Sequence, residues 1–373
     1  MKQFLTRAIV GAALGALGTA PAVAQESVDN TAYGGAAAEF LLLGAGARGA
    51  ALGGSYAALA NDVEALYWNP AGVAMMERPG FALGTYTYLA DTRYSWAGLA
   101  FPMSGGQRAV GIQAGTFGFS DQPVYTLDNP EGDGSTYSVA QTFVGLTYSQ
   151  NFSDRFSAGI TGKYITDRLG ATSGSAFAVD FGTNFHAQIG ARPIRASFVI
   201  QNLGSSITHD GSGLDVAVVR PPPTGQEGIP QEGQPSRYRT KDWGLPVMFR
   251  LGLAFDVVNV SSSRVTVLGE FTQPNNTNAN WSGGLEWGLN LGSSGFGITA
   301  RGSYAYQYDN DLVPDATAAG FSSSLGNGSD GLALGGGLAY HARSGGFGLA
   351  LDYAYRSLGV LGATHFYGAT INW

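Results

Sequence analysis

Apolar residues in this chain return at every second position, over segments of about ten residues. Phe296, Ile298, Ala300, Gly302, Tyr304, Tyr306 and Tyr308 fall on one face; Gly297, Thr299, Arg301, Ser303, Ala305 and Gln307 fall on the other. Val247, Phe249, Leu251, Leu253, Phe255 and Val257 alternate in the same way with Met248, Arg250, Gly252, Ala254 and Asp256. Phe347, Leu349, Leu351, Tyr353 and Tyr355 stand against Asp352 and Arg356. A helix scatters both sets around its circumference, whereas a strand separates them. About ten residues is also what a tilted strand needs to cross the hydrocarbon core of a bilayer.

Such segments are predicted at 80–89, 93–102, 108–118, 140–150, 155–166, 176–187, 195–203, 246–257, 263–273, 280–291, 295–308, 331–342, 346–357 and 365–373. The links after the even-numbered segments are short: PMSGG, NFSD, QIGARPI, VNVSS, GSS and ARSG. Three links are long, at 119–139, 204–245 and 309–330, and all lie on the opposite side. Short turns on one side and long loops on the other are the pattern of outer-membrane barrels, whose long loops face outside. Closure also removes the edge strands whose free backbone groups lipid cannot satisfy. The composition agrees. Charged residues are 13% of the chain, about half the usual share, and no stretch after residue 24 has the eighteen consecutive apolar residues of a helical span. The predicted fold is all-β: a transmembrane antiparallel β-barrel of about 14 strands over residues 80–373.

Residues 1–24 read as a secretory signal peptide. Lys2 and Arg7 form the basic start, Ala8 to Gly18 the apolar stretch, and Ala22-Val23-Ala24 a small-residue cleavage site. There is no cysteine, which removes disulfides, thiolate zinc sites and cysteine nucleophiles together. The net charge is −7 with no basic tract, so nucleic acid is not a partner. At the other end Phe366, Tyr367, Ile371 and Trp373 make an aromatic terminal strand, the signal expected to be read by barrel-assembly machinery. The predicted location is the outer membrane of a Gram-negative-type bacterium, with membrane lipid around the wall and both termini periplasmic.

One motif argues the other way. Gly44-x-Gly46-x-x-Gly49 follows three leucines, and Asp62 and Glu64 come about twenty residues later, as in a dinucleotide-binding turn. That fold needs further βαβ units, and none follows. Residues 25–79, rich in small residues and with a short helix expected at Ala50–Ala60, are instead predicted to plug the lumen. About fourteen strands enclose more space than wall side chains fill.

The string GAGARGAALGGSYAALANDVEALYWNPAG resembles the N-terminal signature of PorV/PorQ-type proteins, which belong to the FadL-like superfamily of long-chain fatty acid transporter barrels. Gln201-Asn202-Leu203-Gly204, Leu245-Pro246 and the ending LDYAYRSLGVLGATHFYGATINW are similar to segments of that family, so the resemblance covers about residues 38–373. The Pro-rich link 204–245 has no counterpart in it. The resemblance implies a fourteen-stranded barrel with an N-terminal hatch, falling here on Arg48, Gly49, Trp68, Asn69, Pro70 and Gly72. It also implies function. PorV-type members serve type IX secretion, which would make a translocon and exported proteins the partners; this is the reading favoured on the motifs. The alternative is a FadL-like passive channel for hydrophobic small molecules, with the aromatics of 81–119 and Trp68 as candidate lining. A third reading is a sealed structural scaffold.

No catalytic site, metal site or cofactor is predicted. His186, His209, His341 and His365 are spread over different segments, and Asp121, Asp128, Glu131 and Asp133 lack regular ligand spacing. The charges on the polar faces carry more information: Lys163, Asp180, Arg250, Asp256, Glu270, Glu286, Arg301, Asp352 and Arg356. Cationic charge at mid-depth on the lipid face costs about 2–4 kcal/mol, so all nine are expected to face the lumen, with Arg48 as a partner for its acids.

Overall fold

The structure is a computed structural model that describes residues 34–127, 129–219, 233–307, 331–342 and 346–373. The predicted signal peptide, Asp128, Pro221 to Pro223 and the whole of the third long link lie outside these residues. Fourteen strands form the wall: β1 Gly80–Thr87, β2 Arg93–Met103, β3 Arg108–Pro123, β4 Thr136–Ser153, β5 Phe156–Leu169, β6 Thr172–Ile189, β7 Arg192–Gly204, β8 Met248–Val260, β9 Ser263–Pro274, β10 Asn280–Asn290, β11 Phe296–Gln307, β12 Leu332–His341, β13 Gly348–Ser357 and β14 Ala363–Asn372. Each pairs antiparallel with its neighbour in sequence, and β1 pairs with β14 from Gly80↔Asn372 to Tyr86↔Phe366, so the sheet closes. The two residues Asp210–Gly211 add a rim pairing to β6, and Asp215–Val218 pairs with Gln234–Arg237 as a separate ribbon on the longest link.

Alternation sets the register because only one face meets lipid. On β8 Leu251 and Leu253 are exposed while Met248, Arg250 and Asp256 are buried. On β11 Ile298, Tyr304 and Tyr306 are exposed while Arg301 and Ser303 are buried. No helix among the described residues is long and apolar enough to cross a membrane.

Three sequence expectations are corrected. The link predicted at 119–139 is shorter, because β3 runs on to Pro123 and β4 starts at Thr136, Gln122 pairing with Tyr137. β6 likewise starts at Thr172, earlier than predicted. The helix expected at Ala50–Ala60 is confined to α1, Ala47–Ala51. Gly53 and Gly54 follow with φ of 61° and 85°, left-handed values that end a helix. The second helix, α2, is Ala65–Trp68, and a 3-10 turn covers Pro70–Met75.

The largest buried cluster is built around residues 37–76. Ala45, Ala47, Ala51, Tyr56, Val63, Leu66 and Ala71 have essentially no accessible surface. This segment hydrogen-bonds to strands around the ring: Gln113 on β3, Ser149 on β4, Gln201 on β7, Glu270 on β9, Glu286 on β10 and Ser303 on β11. The wall residues at these contacts are on the inward faces.

Candidate functional site

The three fingerprint glycines are occupied by protein. Gly44 has a φ of 92° and lies against the Trp68 ring; a Cβ there would be 3.3 Å from it. A Cβ on Gly46 would fall on the Glu64 carboxyl, and one on Gly49 inside the Trp68 indole. The pattern serves close packing of this segment on itself, with no space for a pyrophosphate. Trp68 Nε1 donates to the Ala45 carbonyl at 2.8 Å, and the Arg250 guanidinium stacks on the other side 4.9 Å from the ring centroid. Trp68 is therefore enclosed, at 4% accessible, and is not in the lining of the cavity at the long-link end, which corrects its assignment to a ligand path.

Asn69 caps the 3-10 turn. Its Oδ1 accepts from Ala71 N at 3.1 Å, with Pro70 at the first position, where a missing N–H does no harm. Its Nδ2 donates to Ala57 O at 2.9 Å and Thr183 O at 3.2 Å, joining the segment to β6. Gly72 sits where a Cβ would strike the Ala60 carbonyl.

The buried charges form discrete groups. In the largest, Arg48 holds Glu286 with two bonds, Nε to Oε2 at 2.8 Å and Nη2 to Oε1 at 2.7 Å. Its Nη1 reaches Asp62 at 2.7 Å and Tyr56 at 3.0 Å. Glu286 also accepts from Arg301 at 2.8 Å and Arg264 at 3.2 Å, and Arg301 pairs with Asp352. In the second, Arg250 bonds Glu270 at 2.8 Å and Gln201 at 2.9 Å, and Glu270 accepts from Ala57 N at 3.0 Å. In the third, Lys163 meets Asp180 at 2.6 Å and Asn202 at 2.9 Å. Asn202 adopts φ 62°, a conformation Asn tolerates, which turns its N–H onto Asp180 at 2.8 Å. In the fourth, Arg195 meets Asp256 at 2.9 Å, and Thr266 donates to the other Asp256 oxygen. Arg356 is half-buried and has no ion pair among the described residues.

At the long-link end lies a cavity of about 640 Å³. Its floor is the start of the N-terminal segment, Phe40, Leu42 and Leu43, and its walls include Tyr88, Phe117 and Trp243. Gln141, Asp167 and His209 supply polar edges, with Gln141 donating to Asp167 at 2.9 Å and His209 Nε2 lying 3.3 Å from Asp167. Below the floor Tyr67, Tyr86, Tyr94 and Phe366 are all buried, with Phe366 4.0 Å from Tyr86 between ring centroids. Phe366 thus points inward, while Tyr367, Ile371 and Trp373 point outward. A second depression, about 700 Å³, lies on the outer wall between Leu83, Leu338, Leu351, Tyr353 and Tyr367. Its rim is apolar and exposed, and its lining also includes Thr85, Thr299 and Asp352, the partner of Arg301. Above the barrel Arg237 bonds Asp215 at 2.6 Å and holds its carboxyl below the ordinary aspartate range. Ser135 does the same for Asp133 through its hydroxyl and backbone N–H.

Sequence reasoning missed the amides Gln113 and Gln201 as segment anchors and Asn202 as the bridge between Lys163 and Asp180, and gave Asp62 and Glu64 no role beyond the rejected fingerprint. A polar amide on the inward face of a strand, opposite a stretch of small residues, was the signal available.

A closed antiparallel wall, apolar outside and ion-paired inside around its own N-terminal segment, defines a transmembrane β-barrel. Its fold is that of the FadL-type channels. The monoaromatic hydrocarbon channel CymD is similar at 13% identity, covering 89% of this chain and 97% of that one, with a TM-score of 0.53. The Pseudomonas putida toluene transporter TodX covers 88% and 97% at 11% identity, TM-score 0.53. The Ralstonia pickettii toluene transporter TbuX covers 89% and 98% at 12% identity, TM-score 0.51. No family model matches the chain, and no curated protein does.

Proposed function

We propose that this chain is an outer-membrane channel for the passive entry of hydrophobic small molecules, without catalytic activity, with residues 25–79 as its hatch and the long links outside. The observation that supports this most is the 640 Å³ cavity at the long-link end. It is lined mainly by apolar and aromatic groups with a few polar edges, as small-molecule sites are, and its floor is the hatch itself. A ligand resting there touches the element that has to shift for passage. The compared hydrocarbon and toluene channels have the same architecture over nearly their whole length.

Uptake of radiolabelled toluene by a Gram-negative host lacking its own hydrocarbon channel tests this reading. Expression of the chain is expected to raise uptake, and Leu43→Trp with Phe117→Trp, which fill the cavity, to reduce it severalfold. Uptake indifferent to both expression and cavity filling overturns the proposal.

The secretion reading rests on the motifs at 44–72 and 351–373, together with exposed apolar residues such as Tyr125, Leu127, Val218 and Tyr238 on the links. Recovery of a translocon or an exported protein with the tagged barrel from detergent extract would favour it. A sealed scaffold would show neither uptake nor a bound protein.

A further inference from the structure

We propose that His186 and Arg195 form a binding site for an oxyanion, a carboxylate or phosphate group, at the short-turn mouth of the barrel. The two residues are direct register partners on β6 and β7, which places their Cβ atoms about 4.5–5.5 Å apart. Both face inward: Phe185 beside His186 is exposed to lipid, and Ser197, on the face of Arg195, is buried. A guanidinium directly opposite an imidazole in a sheet disfavours a second positive charge there. The acid nearby answers only half of this. Asp256 takes Arg195 Nη2 at 2.9 Å, while its other oxygen accepts from Thr266 at 2.8 Å. Arg195 Nη1 and His186 Nε2 remain buried with no hydrogen-bond partner among the described residues, an arrangement native interiors avoid.

Both side chains line a cavity of about 600 Å³, with Asp154 and Arg155 at its rim. That volume is far larger than the roughly 30 Å³ share of one water. Met75, Ala187, Pro193 and Ile194 give the cavity an apolar side, and Gln188 adds a polar group. A group carrying one negative charge bonds the Arg195 guanidinium and the His186 imidazole, and an apolar body on it lies against Met75, Pro193 and Ile194. The guanidinium offers a second N–H beside the imidazole N–H, and both bond a carboxylate in the charge-assisted manner. Met75 closes the 3-10 turn of the N-terminal segment, so the ligand would touch wall and segment together. This cavity is at the opposite mouth from the 640 Å³ one, and its occupancy can be read without transport.

The experiment is titration of the full-length barrel in detergent with benzoate, its neutral analogue benzamide, and inorganic phosphate, followed by calorimetry. Benzoate is expected to bind about tenfold more tightly than benzamide. His186→Leu, which leaves the Arg195–Asp256 pair intact, is expected to weaken benzoate about fivefold, and Arg195→Gln about twentyfold or more. Arg237→Gln, on the exposed ribbon, is expected to change nothing. Heat-modifiable gel mobility confirms that each variant is folded, so His186→Leu keeps the test valid if Arg195→Gln fails to fold. Phosphate binding as well as benzoate identifies a site for free oxyanions, and benzoate alone identifies one that also needs the apolar body; both support the proposal. Equal binding of benzoate and benzamide, benzoate binding unchanged in both variants, or no binding of any probe overturns it.

Discussion

Glu286→Gln should release part of the N-terminal segment without opening the wall. Arg48, Arg264 and Arg301 are balanced in the structure by Asp62, Glu286 and Asp352. Glu286 is the hub, its side chain only 3% accessible. Neutralising it leaves three guanidiniums facing two carboxylates. Breaking a buried pair from one side costs about 3–5 kcal/mol. Arg264 is 37% accessible and can turn to water, and Arg301 keeps Asp352, so the lower end, about 3 kcal/mol, is expected. At about 1.4 kcal/mol per decade that is roughly a hundredfold. The assay is hydrogen exchange read by peptide mass, because exchange reports local opening separately from global unfolding. Peptides over 44–56 should exchange about a hundredfold faster in the variant. Those over 66–76, held by Gln113, Ser149 and Asn69, should be unchanged. An increase below about threefold at 44–56, in a folded barrel, would refute the claim that this network holds the segment.

Asn69→Ala removes the cap on Ala71 N and leaves two carbonyls without their donor; a loss of about 1–3 kcal/mol is expected, seen as faster exchange over 70–76. Gly49→Leu puts a side chain into the Trp68 indole, so either the heat-modifiable folded form fails to appear or trypsin gains access to Arg48. On the ribbon, Asp215 is held below its ordinary value of 3.8 by Arg237. A depressed carboxyl pKa contributes above the unfolded value and is lost as pH falls through the folded one. Protease cutting within 205–247 should therefore be the same at neutral and mildly acid pH and rise only below the ordinary aspartate range.

The wall was legible because lipid enforces alternation on every residue it touches. Phe296–Gln307 differs from its predicted span by one residue at each end. Where lipid ends, the signal ends too. Tyr137 and Gln122 pair above the span with no apolar medium to demand a period, and there the strand limits were missed. The nine charges were assigned to the lumen by the same exclusion, since a greasy surface cannot hold them. Their pairing was not legible. Arg48 and Glu286 are 238 residues apart in sequence, and only closure of the ring makes them neighbours. The helix expected across Ala50–Ala60 failed for a local reason: alanine content suggested it, and two left-handed glycines ended it after α1.

The last strand seals the ring against the first, and the segment inside precedes both. Arg48, Asn69 and Trp68 are held by Glu286, Thr183 and Arg250, all on strands synthesised after them. The order of construction follows. The early part of the chain has to be waiting in place while the staves are set around it, and the final residues drop the latch. A chain cut short before Ala363 would lose its contents as well as its seam.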